Sequence, residues 1–166
     1  MAIHASIPSM LKESLVEIYL VAQDCVNFRK DPKIWGADGC YGYPAAILLF
    51  SIVDSVGSYV LGGSTRKHFD VLLHKDYYNL KLNKESVDII YEKYRCILTH
   101  NAAMPVNTYL DIGQIGDLVF EIKNDVPLVR LNPFLEVTKK TLIKFISEVD
   151  NIVVNSKKLQ EILKKL

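Results

Sequence analysis

Apolar residues recur through most of this chain at the three-and-four spacing of helices. Over residues 9–29, Leu11, Leu15, Ile18, Ala22 and Cys25 share one side of a helical wheel, with Lys12, Glu13, Glu17 and Gln23 elsewhere. That spacing predicts a first amphipathic helix, capped by Ser9 and stopped at Asp31-Pro32, because a residue before proline is pushed out of the α region. The stretch WGADGCYGYP that follows reads as a connection between helices. Pro44 then opens a second helix and Gly62-Gly63 closes it.

This second helix is nearly all apolar, yet Ser51, Asp54, Ser55 and Ser58 stand at i, i+3, i+4 and i+7 and draw one narrow polar stripe along it. Such a stripe faces solvent by default, which makes Asp54 an exposed carboxylate. Its small residues also suit a close partner helix, in which case Asp54 orients a group on that partner. The following GGSTRK lacks the glycine spacing of a phosphate loop and reads as a helix end and a new N-cap. A shorter helix is expected over residues 65–74.

The clearest pattern runs over residues 83–100, where Val87, Ile90, Tyr91, Tyr94, Ile97 and Leu98 form a core stripe beside Glu85, Asp88, Glu92, Arg95 and Thr99. Met104-Pro105 prevents its continuation past about Asn101. Residues 118–123 and 126–131 are short β-branched runs around Asn124-Asp125, a hairpin signal, and Pro127 points to an edge strand. Asn132-Pro133 restarts a helix on Leu135, Leu142, Phe145, Ile146 and Val149, and Ser156 is expected to cap a last one. The expected fold is mainly α: one domain over 1–166, an antiparallel helical bundle over about 7–104, a β-hairpin over about 118–131 and C-terminal helices over about 133–166.

Composition narrows the function. With 20 Lys plus Arg against 19 Asp plus Glu, the net charge of +1 creates no long-range field. Any contact with nucleic acid must then use a local patch or a fixed pocket, which excludes a bulk DNA coater. Lys139, Lys140, Lys144, Lys157, Lys158, Lys164 and Lys165 are a basic concentration, but Glu136, Glu148, Asp150 and Glu161 interleave them as on a solvated helix face. Cys25, Cys40 and Cys96 form no CxxC pair and leave an odd thiol, which suits a reduced, cytoplasmic setting. Histidines at positions 4, 68, 74 and 100 lack the spacing of a helix-borne zinc site, so neither metal nor cofactor is expected. Charges break the N-terminal apolar residues, and the run from Pro44 to Val53 is shorter than a bilayer span, so no membrane association is expected.

The stretch YEKYRCILTHNAAM carries the remaining chemistry: Arg95, four residues, His100, then Asn101. This resembles the Arg-x4–6-His signature of the HEPN superfamily, the higher eukaryotes and prokaryotes nucleotide-binding domains. The preceding AAILLFSIVDSVGSY is similar to the helix that packs against the motif helix in bacterial members. The resemblance covers residues 44–104. It implies a small helical domain that dimerises, brings its Arg/His pairs together at the interface and cleaves RNA through the substrate's own 2′-hydroxyl without metal, as a toxin with a cognate antitoxin or as a defence component. Active members usually carry a polar residue after the arginine, where this chain has Cys96.

The residues suit that chemistry. His100 exchanges a proton near neutral pH, and the permanently charged fork of Arg95 stabilises charge developing on a phosphate. Asn101, Asp54 and the hydroxyl of Tyr94 are supporting groups. On a straight α-helix, residues five apart point about 140° from one another, so Arg95 and His100 converge if the last turn departs from α winding or a second subunit contributes. A structural alternative pairs Arg95 with Glu92 and sets His100 against the helix dipole. The alternative function is a non-catalytic dimerisation, protein-interaction or nucleotide-binding module.

Overall fold

The computed structural model describes residues 6–98, 104 and 106–156. It is a helical bundle with a small three-stranded sheet placed before the last described helix. Helix α1 (Ile7–Asn27), helix α3 (Gly42–Val60) and helix α6 (Leu131–Asn155) pack on one another around the core. A single-turn helix α2 (Pro32–Trp35) lies between the first two. Helix α4 (Thr65–His68) passes into a 3₁₀ turn (Phe69–Leu73), and helix α5 (Lys84–Ile90) passes into a π-helix (Tyr91–Leu98).

Phe50, on α3, ties these parts together. Its ring lies 5.2–6.1 Å from those of Phe134, Tyr94, Phe69 and Phe120, so the 3₁₀ turn, the π-helix, the sheet and α6 all close on one side chain. Helix α3 is also long and apolar enough to cross a membrane by length and composition, with mean hydropathy 1.4, and half of that window is buried inside the bundle.

Several boundaries differ from the sequence expectation. Ser6, not Ser9, caps α1: the Ser6 hydroxyl accepts from the Ser9 N–H, and Pro8 occupies the first turn, where a missing donor costs nothing. The helix ends at Asn27, and Asp31-Pro32 starts α2, with the Asp31 carboxylate accepting from Lys33 N–H at 2.9 Å. Helix α3 begins two residues before Pro44. Ser64 starts α4 as expected, but the segment over 65–74 changes winding at Phe69. Helix α6 runs unbroken to Asn155, and the Ser156 hydroxyl donates back to Val153 O; the helix that Ser156 is expected to cap lies outside the described residues. The Ile97 and Leu98 side chains and residues 157–166 lie outside the described set.

The hairpin forms as the turn sequence dictates. Strands β2 (Phe120–Lys123) and β3 (Val126–Arg130) join through Asn124 and Asp125, both at positive φ (50° and 61°), as the type I′ turn requires. Pro127 does not mark an edge. The sheet order is β1-β3-β2, because strand β1 (Tyr109–Asp111), not anticipated from sequence, pairs in parallel with β3 from Tyr109↔Leu128 onward. Opposite Ile122, Pro127 occupies a non-hydrogen-bonded position of the hairpin, so its missing N–H faces the β1 side, one residue short of that ladder.

Candidate functional site

Asp54 sits where α3, α4 and the π-helix meet, and both of its carboxylate oxygens are engaged. Oδ1 lies 2.7 Å from His68 Nδ1, and Oδ2 accepts from Arg95 Nη2 at 3.2 Å. The Asp54 and Arg95 side chains retain 22% and 23% exposure, whereas His68 is buried. The polar stripe is therefore not a wet face. Asp54 turns toward the motif helix, and the Ser51 and Ser58 hydroxyls donate back to Ile47 O and Ser55 O of their own helix.

Close packing of backbones makes this arrangement possible. A Cβ on Gly57 would stand 2.1 Å from the carbonyl oxygen of His68, so only a glycine there lets α4 lie directly against α3. The turn at Gly62 and Gly63, both at positive φ, folds α4 back, and Gly63 O lies 3.1 Å from His68 Nε2. Both ring nitrogens of His68 thus face oxygen atoms, Asp54 Oδ1 on one side and Gly63 O on the other. With each nitrogen occupied, His68 acts as a tie that fixes Asp54. Sequence reasoning missed it: His68 is fourteen residues from Asp54, and only Gly57 hints at the contact that joins them.

Arg95 is carried on the π-helix, whose wider turn brings residues five apart onto one side. Tyr91 and Cys96 have that spacing, and their side chains hydrogen-bond. That bond, followed by burial, lifts the Tyr91 hydroxyl above its usual range, against the pull of Arg95 and Arg66. Arg95 and His100 have the same separation in sequence, and the π-helix that bears Arg95 is described to Leu98. His100 and Asn101 lie outside the described residues.

The alternative partner for Arg95 is taken. Glu92 pairs with Arg66 Nη2 at 2.6 Å, while Nη1 of Arg66 reaches Asp88 at 3.2 Å and its guanidinium covers the Tyr91 ring. Lys84 links Asp88 to Asp70, so the network fastens α5 to the 3₁₀ turn. Tyr94 is fully buried, and its hydroxyl lies 2.9 Å from Tyr109 O and 2.7 Å from Pro127 O. Burial raises that hydroxyl far above the ordinary phenol range. It clasps β1 to β3 from beneath and is not directed at Asp54 or Arg95.

The result is a partly exposed guanidinium held by a carboxylate that is itself held by a buried imidazole. One edge of the Arg95 fork is engaged by Asp54, and a planar fork fixed in this way suits an incoming anion such as a phosphodiester. Among the described residues, no group of three or more His, Cys, Asp or Glu side chains could hold a metal ion. No protein-family model, curated protein or solved structure matches the chain.

Proposed function

We propose that this protein is a HEPN-like, metal-independent endoribonuclease in which Arg95 and His100 act at a dimer interface, working in the cytoplasm as the toxin of a toxin-antitoxin pair or as a defence component. The observation that carries the reading is the Arg95–Asp54 contact: the arginine of the Arg-x4-His motif is oriented by a carboxylate on the neighbouring helix. In this reading His100 takes the 2′-hydroxyl proton and the 2′-oxygen attacks phosphorus. The 5′-oxygen departs as it takes up a proton, leaving a 2′,3′-cyclic phosphate. Arg95 stabilises the charge that builds on the phosphoryl oxygens, a preorganised contact that costs no rearrangement during reaction. Asp54 and His68 are positioning residues, and Asn101 remains a supporting group in the motif.

The test is cleavage of a mixed RNA pool in excess chelator, with activity expected from the native chain and lost in Arg95→Ala. A second reading, a non-catalytic interaction module, draws on the outer face of α1, where Met10, Leu20 and Val21 stay about half exposed. It predicts no cleavage by any form of the protein.

A further inference from the structure

The segment between α1 and α3 is a built surface, not a slack connection. Lys30 N–H donates to Gly39 O and Tyr41 N–H to Cys25 O, both close to 3 Å, which pins the two ends of the loop together. Asp31 caps α2 at one end, and Gly36, at φ 72°, closes it at the other. This rigid frame holds apolar surface out in water: Trp35 is 52% and Tyr43 53% exposed. The Phe28 ring stacks on Tyr41 at 4.2 Å and Trp35 meets Tyr41 edge-on at 5.9 Å, with the Lys30 ammonium 5.3 Å and 5.8 Å from the Trp35 and Tyr41 ring centres. An ordered aromatic platform with a cation over it is the arrangement that binds single strands by base stacking and phosphate attraction.

A cavity of about 350 Å³ opens beside the platform, between the start of α3 and strand β1. Lys30, Tyr43 and Tyr109 line it, and so do Asp38 and Asp111, the latter 56% exposed with its carboxylate 3.8 Å from Arg130 Nε. Carboxylates repel phosphate but accept hydrogen bonds from the amino edge of a base, as they do from cytosine N4. Met104, the first described residue after Leu98, also lines this cavity.

We propose that this face is a single-stranded RNA-binding site, in which Trp35 and Tyr43 stack bases, Lys30 meets the backbone phosphate, and the cavity seats one amino-bearing base on Asp38 and Asp111. The proposal rests on the ribonuclease reading for its choice of RNA, and it adds where and how the substrate is held.

Trp35 is the chain's single tryptophan, so its emission reports this site alone. The experiment titrates His100→Ala protein, which binds without cutting, with ten-nucleotide oligo(C) and oligo(U) RNA, following both tryptophan emission and the anisotropy of labelled RNA. The expected result is saturable quenching that coincides with the anisotropy change, tighter binding of oligo(C), and about tenfold weaker binding for Tyr43→Ala and for Lys30→Ala. Asp38→Asn with Asp111→Asn should remove the preference for oligo(C). RNA binding without quenching, or binding unaffected by Tyr43→Ala and Lys30→Ala, overturns the site while leaving cleavage by Arg95 and His100 intact. Quenching and binding in a protein whose native form never cleaves overturns the ribonuclease reading and leaves this site standing.

Discussion

Arg95 and Asp54, forty-one residues apart in the chain, meet at 3.2 Å across the packing of two helices, and the opposite oxygen of the same carboxylate is held by His68 at 2.7 Å. Removing the charge of Asp54 without changing its size should therefore loosen Arg95 more than it loosens the fold. Asp54→Asn is expected to cost about 1–3 kcal/mol, the usual range for losing hydrogen bonds to a partly buried charged group. RNA cleavage should fall by about tenfold or more, because a small misplacement of a catalytic group is enough to slow reaction. Thermal melting and single-turnover cleavage check the two effects separately. If the melting temperature falls while cleavage per folded molecule stays unchanged, Asp54 does not position Arg95.

Gly57 provides a second handle on the same contact. Gly57→Ala places a methyl group against the His68 backbone, which cannot move as the end of a flexible side chain could. The cost is expected at the upper end of the overpacking range, about 3 kcal/mol, with His68 displaced from Asp54. Chemical denaturation measures the loss, and the His68 imidazole signals in an NMR spectrum report the displacement.

Tyr94 separates scaffold from site. Because its single hydroxyl proton is shared between Tyr109 O and Pro127 O, Tyr94→Phe removes that buried hydrogen bond and should destabilise the protein by about 1–3 kcal/mol. Cleavage per folded molecule is expected to change by less than about twofold. A loss of cleavage with stability intact would return Tyr94 to the catalytic groups.

Buried tyrosines set the alkaline limit of the fold. Burial, with help from Glu148, pushes Tyr77 up to about 12, and burial alone carries Tyr78 higher still, as it does Tyr94. Each keeps its proton in the folded state at a pH where the unfolded chain has released it. The associated stability is full below about pH 10 and declines as pH rises above it. Absorbance at 295 nm against pH should show a fraction of the tyrosines ionising only as the far-ultraviolet circular dichroism collapses.

Much of the bundle was readable because its elements rest on local rules. The helix periods, the Gly62-Gly63 ending of α3, the Ser64 start of α4 and the Asn124-Asp125 turn each depend on a few neighbouring residues, and each stands in the structure. What escaped was decided at a distance. Strand β1 has three residues, too few for alternation to show, and it exists through pairing with β3. The centrality of β3 follows from that pairing, which is why Pro127 misled. At the site, the motif spacing singled out Arg95 and the polar stripe offered Asp54 to orient it if that stripe faced the motif helix, but the approach of α4 to α3 that brings His68 to Asp54 was not readable. Asp54 read as exposed because a wheel shows which side of a helix a residue occupies and not what lies against that side. The π winding after Ile90 was equally invisible, since Tyr91 and Tyr94 fit an α-helical stripe as well as a wider one.

The most direct measurement is the chemistry of the RNA ends produced in excess EDTA by the native protein, Arg95→Ala and His100→Ala, prepared identically and shown to be folded. The native protein is expected to leave 2′,3′-cyclic phosphate ends, and both variants are expected to lose them. Equal cleavage by all three would place the activity elsewhere, and no cleavage by the folded native protein would contradict the ribonuclease reading.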